Sequence, residues 1–116
     1  MKVACIIVTT RREYFHAWPN APEEVAFLRH PHRHVFHVKL TLPVAHSDRE
    51  KEFFIVQRWM KQTLDAKVGK EGQSLGSMSC EDIATLVAEE AHKVWETIVE
   101  CEVWEDGENG ARVTVD

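Results

Sequence analysis

The segment from residue 34 to residue 42 alternates between two sets of side chains, and this alternation limits the fold more than any other sequence feature. Successive side chains of a β-strand point to opposite faces, so the two sets would separate in space. One face would carry His34, Phe36, Val38, Leu40 and Leu42. A strand with one apolar face must bury that face against helices or a second sheet. Pro43 is expected to end the strand.

A shorter strand and a long loop are predicted upstream of this segment. Residues 3–9 are mostly β-branched or apolar, which is typical of a strand. The pattern breaks over residues 11–31, where Pro19 and Pro22 interrupt the chain, so this stretch is predicted to be a loop.

Two helices are predicted between the central strand and the C-terminal residues. Ser47 or Asp48 would cap the first helix, which would run to about residue 64. Its apolar positions at helical spacing are Phe53, Val56, Met60 and Leu64. Ser79 would cap the second helix, with acidic residues in its first turn. Its predicted buried stripe is Ile83, Leu86, Val87, Ala91, Val94, Trp95 and Ile98.

Residues 100–105 and 112–115 are predicted to form a final hairpin around a turn at 106–110. The order is therefore strand, strand, helix, helix, strand, strand. Segregation of strands from helices favours an α+β fold, with an antiparallel four-stranded sheet and two helices on one face. The 116 residues are predicted to form a single domain, residues 1–116.

Charge and cysteine content narrow the possible functions. The net charge is −5 at pH 7, which disfavours nucleic acid as a partner because phosphate binding requires a basic face. Three widely spaced cysteines, Cys5, Cys80 and Cys101, make a disulfide framework unexpected and favour a reducing, cytoplasmic location. The N-terminal apolar run is too short to cross a membrane and lacks the cleavage site of a signal peptide.

Histidine spacing suggests a metal site. Four of the seven histidines lie between His30 and His37. His32 and His34, at alternate positions where a strand begins, would face the same side, and His16 is the candidate third ligand. Three neutral imidazoles suit Zn²⁺ and leave a fourth position open for water or substrate. The alternative is a polar loop whose histidines are only solvated.

Five motifs, taken together and in order, resemble the family of 6-pyruvoyltetrahydropterin synthase and 6-carboxytetrahydropterin synthase. They are Phe15-His16-Ala17-Trp18-Pro19, His32-Arg33-His34-Val35-Phe36-His37-Val38, Leu64-Asp65, Ser79-Cys80-Glu81-Asp82-Ile83-Ala84 and Val103-Trp104-Glu105-Asp106. The resemblance covers nearly the whole chain, although Arg33 replaces the glycine of the family's His-Gly-His.

The resemblance implies the tunnelling fold, in which four-stranded sheets from several subunits join into a barrel. It implies a homo-oligomer, a trimer or hexamer, with zinc held by His16, His32 and His34. It also implies a lyase of this synthase type, acting on dihydroneopterin triphosphate or a related pterin- or purine-type molecule, with a place in queuosine and deazaguanine biosynthesis. No nucleic acid and no membrane is expected as a partner.

The resemblance further implies where the substrate would lie. Glu105 would grip the guanidine-like edge of the ring, since a carboxylate can accept two parallel N–H bonds. Ser79, Cys80 and Glu81 begin a helix near the ligand pocket, although Glu81 also fits as a helix-dipole partner.

Two departures from the family concern the acid–base groups. Catalytic members carry a cysteine where this chain has Leu28 and a histidine where it has Ala66. Asp65 is the remaining member of that machinery, and Cys80 is a candidate replacement, because a helix N-terminus would lower its thiol pKa. Further acid–base candidates are His30 and His37. Altered chemistry is therefore expected.

Two other functions stay open on the sequence. One is a non-catalytic protein that keeps the zinc and pterin pocket without turnover. The other is a structural assembly subunit whose histidines lie only at subunit contacts.

Overall fold

A computed structural model describes residues 2–116, which form one four-stranded antiparallel sheet in the order β1-β2-β3-β4. The elements, in chain order, are β1 Ala4–His16, β2 His32–Val44, α1 Phe53–Thr63, α2 Cys80–Trp95, β3 Val99–Glu105 and β4 Asn109–Val115. A 3₁₀ segment, Glu23–Arg29, lies between β1 and β2, and a π-helical turn, Leu64–Val68, follows α1. The predicted fold class and element order are confirmed.

The apolar face of β2 is the centre of the core. Phe36, Val38, Leu40 and Leu42 are all fully buried, as the alternation predicts. The core also takes in the buried side of α2, including Ile83. The helix-facing side of the sheet is therefore its buried, apolar side.

Both β1 and β2 are longer than predicted. β1 does not stop at residue 9 but continues to His16, paired with β2 along its whole length. The predicted loop over residues 11–31 is wrong for this part, because its exposed polar positions lie on the helix-free face while Tyr14 is buried. Pro43 does not end β2. β3 pairs only with Phe36–Thr41, so Pro43 has a single neighbouring strand and its missing N–H is tolerated.

Helix α1 begins later than predicted. Its N-cap is Glu52, whose carboxylate accepts hydrogen bonds from the backbone N–H groups of Phe54 and Ile55, so the predicted cap at Ser47 or Asp48 is wrong. Phe53 consequently starts the helix and is 57% exposed instead of buried. The later predicted core positions are buried: Val56, Met60 and Leu64.

Helix α2 begins where the sequence predicts. The Ser79 hydroxyl accepts from the Asp82 N–H, and the Asp82 carboxylate accepts from the Ser79 N–H, forming a reciprocal capping box. The helix ends at Trp95, followed by Glu96 in the left-handed conformation. The predicted buried stripe is wrong at its C-terminal end, where Val94 and Ile98 are exposed.

The C-terminal hairpin is tighter than predicted. β4 begins at Asn109, so the turn is reduced to Asp106, Gly107 and Glu108. Asp106 and Gly107 have φ values of 54° and 71°, the left-handed region that such a turn requires. Neither helix among residues 2–116 has the length and hydropathy needed to cross a bilayer.

Candidate metal centre

The pairing of β1 with β2 brings the three predicted ligands together. His16 lies directly opposite His32, and Tyr14 lies opposite His34. Side chains at alternate positions share a face, so all three imidazoles lie on the helix-facing side of the sheet. The longer β1 is what makes this possible, because its last residue is His16.

The three imidazole rings converge on one point. One ring nitrogen from each of His16, His32 and His34 lies within 4.8 Å of the others. The ring centroids are 4.6 to 5.3 Å apart and the rings meet edge to face. Phe36 packs edge-on against His16, with ring centroids 5.3 Å apart, and forms an apolar surface beneath the histidines.

Each histidine uses its Nδ1 to bond elsewhere in the protein. The partners are the Met78 carbonyl for His16 at 2.8 Å, the His30 carbonyl for His32 at 2.9 Å and the Asp106 carboxylate for His34 at 2.6 Å. A carbonyl or carboxylate oxygen accepts, so Nδ1 carries the hydrogen and Nε2 keeps its lone pair. This is the usual arrangement of metal-binding histidines, and the donor set fits a zinc ion.

The loop before α2 supplies one of these partners because it is fastened to the end of β1. The Tyr14 hydroxyl donates to the Gly69 carbonyl at 2.6 Å. The Phe15 carbonyl accepts from the Leu75 N–H at 2.8 Å, and the Ala17 N–H donates to the Gly76 carbonyl at 2.9 Å. These bonds place the Met78 carbonyl beside His16.

Asp106 supplies the second fixed partner, and sequence reasoning did not assign it this role. Its Oδ2 accepts from His34 Nδ1 and its Oδ1 accepts from the Val35 N–H at 2.9 Å. These two hydrogen bonds, the one from His34 first, lower the pKa of Asp106 below its ordinary value. The available signal was the Asp-Gly turn directly after Glu105.

Glu105 lies against the histidines. Its Oε2 is 3.1 Å from His16 Nε2 and 3.8 Å from His34 Nε2. The position follows from the register, since Glu105 on β3 lies opposite Phe36 on β2. Glu105 is therefore closer to the three candidate metal ligands than its predicted role at the edge of a ring requires.

A cavity of about 430 Å³ adjoins the histidines. It is lined by His16, Ala17, Trp18, Leu28, His32, Ser77, Met78, Ser79, Cys80, Glu81, Glu105, Asn109 and Gly110. The residues predicted at the pocket therefore surround one space, although the Ser79 hydroxyl is engaged in capping α2. Leu28 reaches the wall because its carbonyl accepts from the Trp18 N–H at 2.7 Å. Leu28 gives the cavity wall an apolar side chain at this position.

Cys80 does not have the acidic thiol that its helix position predicts. Burial, together with the nearby negative charges of Glu105 and Glu81, raises its pKa to about 12. These effects outweigh the helix N-terminus, so the expectation of a lowered pKa is wrong. Cys80 is a buried neutral thiol at the cavity wall.

The other acid–base candidates lie away from the cavity lining. The Asp65 carboxylate accepts a hydrogen bond from the Arg12 guanidinium at 2.9 Å and forms an ion pair with it. Ala66 has no titratable group. His30 contributes its carbonyl to the site, as the acceptor for His32. His37 lies on the helix-free face of β2, beside Arg11 of β1 in register.

The comparisons with known proteins concern the fold. The element order and sheet match the tunnelling fold of 6-pyruvoyl tetrahydropterin synthases. The Caenorhabditis elegans 6-pyruvoyl tetrahydropterin synthase aligns over 100% of this chain and 98% of its own, with a TM-score of 0.64 and 10% identity. An uncharacterized protein from Wolinella succinogenes aligns over 100% of both chains, with a TM-score of 0.77 and 14% identity. No protein-family model and no curated protein sequence matches this chain.

Proposed function

We propose that this chain is a zinc-dependent enzyme of the tunnelling fold that takes a pterin-type or purine-type ring into the cavity beside His16, His32 and His34. The observation that carries the proposal is the convergence of three imidazole rings, one nitrogen of each lying within 4.8 Å of the others, beside a cavity of about 430 Å³ lined by His16 and His32. Each Nδ1 atom forms a hydrogen bond elsewhere in the protein, so the Nε2 lone pairs are available to bind a cation. A likeness of 10% identity to a pterin synthase suggests the substrate class.

The residues of the chain would divide the work as follows. The three histidines hold the zinc, which when bound supplies Lewis acidity toward a substrate oxygen. Glu105 accepts N–H bonds from the amino-pyrimidinone edge of the ring. The apolar wall at Leu28 excludes water beside the ring. Ser79, Cys80 and Glu81 bound the cavity at the start of α2.

The reaction is proposed to differ from that of 6-carboxytetrahydropterin synthase. Proton transfer at carbon needs a positioned acid or base, worth about a hundredfold to ten-thousandfold in rate. Leu28 lines the cavity without such a group, and Asp65 is paired with Arg12. Cys80 is protonated at neutral pH. These observations also favour the second candidate function, a zinc- and pterin-binding protein without turnover.

The test is incubation of the zinc-loaded protein with dihydroneopterin triphosphate, with calorimetry for binding and mass spectrometry for products. Binding is expected, and Glu105→Gln is expected to weaken it by about 1 to 3 kcal/mol because a charge-assisted acceptor is neutralised. Slow formation of any pterin product supports the enzyme, and binding without product supports the second candidate. Absence of binding by the wild-type protein would sink both.

The same proposal includes a homo-oligomer, a trimer or hexamer with the cavity near a subunit boundary. Within residues 2–116, β1 and β4 are the outer strands of the sheet, and sheet edges favour pairing between chains. The Cα radius of gyration is 15.2 Å, against about 13 Å for a compact domain of this length. Light scattering at micromolar concentration is expected to give a multiple of the chain mass, and a monomer would refute this part.

A further inference from the structure

The contact between Glu105 and the histidines joins atoms that all accept hydrogen bonds. His16 Nδ1 donates to the Met78 carbonyl, so neutral His16 has only a lone pair on Nε2. The same holds for His34, whose Nδ1 donates to Asp106. A carboxylate oxygen 3.1 Å from one lone pair and 3.8 Å from another is repelled unless a proton or a metal ion lies between the atoms, and one metal ion can satisfy both contacts at once.

The distances match those between neighbouring ligands of one metal ion. Zinc bonds of about 2.0 to 2.2 Å to nitrogen and oxygen, arranged as a tetrahedron, separate adjacent ligand atoms by about 3.3 to 3.5 Å. The Glu105 oxygen lies 3.1 and 3.8 Å from His16 and His34 Nε2, on either side of that value. The three nitrogens lie within 4.8 Å of one another, so a small inward shift closes the site.

We propose that Glu105 is the fourth ligand of the metal in the ligand-free protein. The inference depends on the proposed zinc site and adds to it a three-histidine, one-carboxylate ligand set. The position that a substrate oxygen would take is then occupied until the carboxylate leaves. Since the same carboxylate is proposed to accept the N–H groups of the ring, ring binding frees the metal position. Through Glu105, binding of a ring in the cavity would therefore free one coordination position on the metal.

The experiment compares wild type, Glu105→Gln and Glu108→Gln as full-length metal-free chains. Glu108 lies in the adjoining turn, is exposed and outside the cavity, and its substitution makes the same charge change. Zinc affinity is measured against a competing chelator, and the visible absorption of the Co²⁺-loaded proteins reports the ligand set. Circular dichroism confirms that each variant is folded.

Loss of an outer partner of a metal ligand costs about 10- to 100-fold in affinity. Glu105→Gln is expected to lower zinc affinity by at least that much, because it would remove a ligand itself. It is also expected to change the Co²⁺ spectrum, whereas Glu108→Gln should change neither. Glu105→Asp, which keeps the charge but shortens the side chain, should also lose affinity. Unchanged affinity and spectrum in Glu105→Gln would overturn the inference, as would full affinity in Glu105→Asp, since the carboxylate would then act only through its field. Failure of wild type to bind zinc would instead refute the proposed function itself.

Discussion

Asp106→Asn tests the orientation of one proposed metal ligand, His34, without removing any of the proposed ligands. The Asp106 carboxylate serves two donors at once, His34 Nδ1 at 2.6 Å and the Val35 N–H at 2.9 Å. Asparagine has one acceptor oxygen, so one of these N–H groups would face an NH₂ group. Asparagine also tolerates the left-handed backbone at this position, where φ is 54°. The substitution therefore leaves the turn intact and disturbs the His34 ring.

The magnitude follows from the bond that is lost. Loss of an outer partner of a metal-binding histidine costs about 10- to 100-fold in affinity, or about 1.4 to 2.8 kcal/mol. The Asp106 side chain is 44% exposed, so water can replace part of the lost bond and the lower end of the range is expected. The assay is zinc titration against a chelator, with Glu108→Gln as the matched control. Wild-type affinity in Asp106→Asn would refute the orienting role.

Three further predictions concern groups around the site. Because burial raises the pKa of Cys80 to about 12, iodoacetamide should alkylate it more slowly than exposed Cys5 in the metal-free protein, and equal rates by peptide mapping would contradict this. Gly110→Ala should destabilise the fold by about 1 to 3 kcal/mol in urea denaturation, because its Cβ would lie 2.5 Å from the Val103 carbonyl oxygen; an unchanged midpoint would be contrary evidence. Because the pKa of Asp106 is lowered in the folded protein, its ionised carboxylate stabilises the fold at pH values above the unfolded pKa of about 3.9. This stabilisation is lost as pH falls through the folded pKa. The unfolding free energy of metal-free wild type should therefore approach that of Asp106→Asn as pH falls, and a constant difference would count against the assignment.

The core and the element order were predictable because they follow from local periodicity. Alternation in residues 34–42 identified the buried face of β2, and the Ser79 cap identified the start of α2. The end of β1 was not predictable from pattern, because polar residues occur on both of its faces and its pairing with β2 is a tertiary effect. The sequence analysis placed His16 in the predicted loop over residues 11–31, whereas the structure makes it the last residue of β1.

The cluster of candidate metal ligands was predictable, but the groups that orient them were not. Imidazole spacing at His32 and His34 is visible in the sequence. The Met78 and His30 carbonyls belong to the backbone, so no residue type marks their role. The thiol pKa of Cys80 depends on burial and on charges brought close by folding, which a helix-start motif does not contain.

The most direct test of the account is the zinc content of the purified wild-type protein and of His32→Ala and His34→Ala. Mass spectrometry of the metal, normalised to protein concentration, is expected to give about one zinc per wild-type chain, as a three-histidine site predicts. Each variant should lose stoichiometric zinc while keeping the wild-type circular dichroism spectrum. A wild-type protein that takes up no zinc, or a folded variant that keeps full occupancy, would contradict the metal centre on which the proposed function depends.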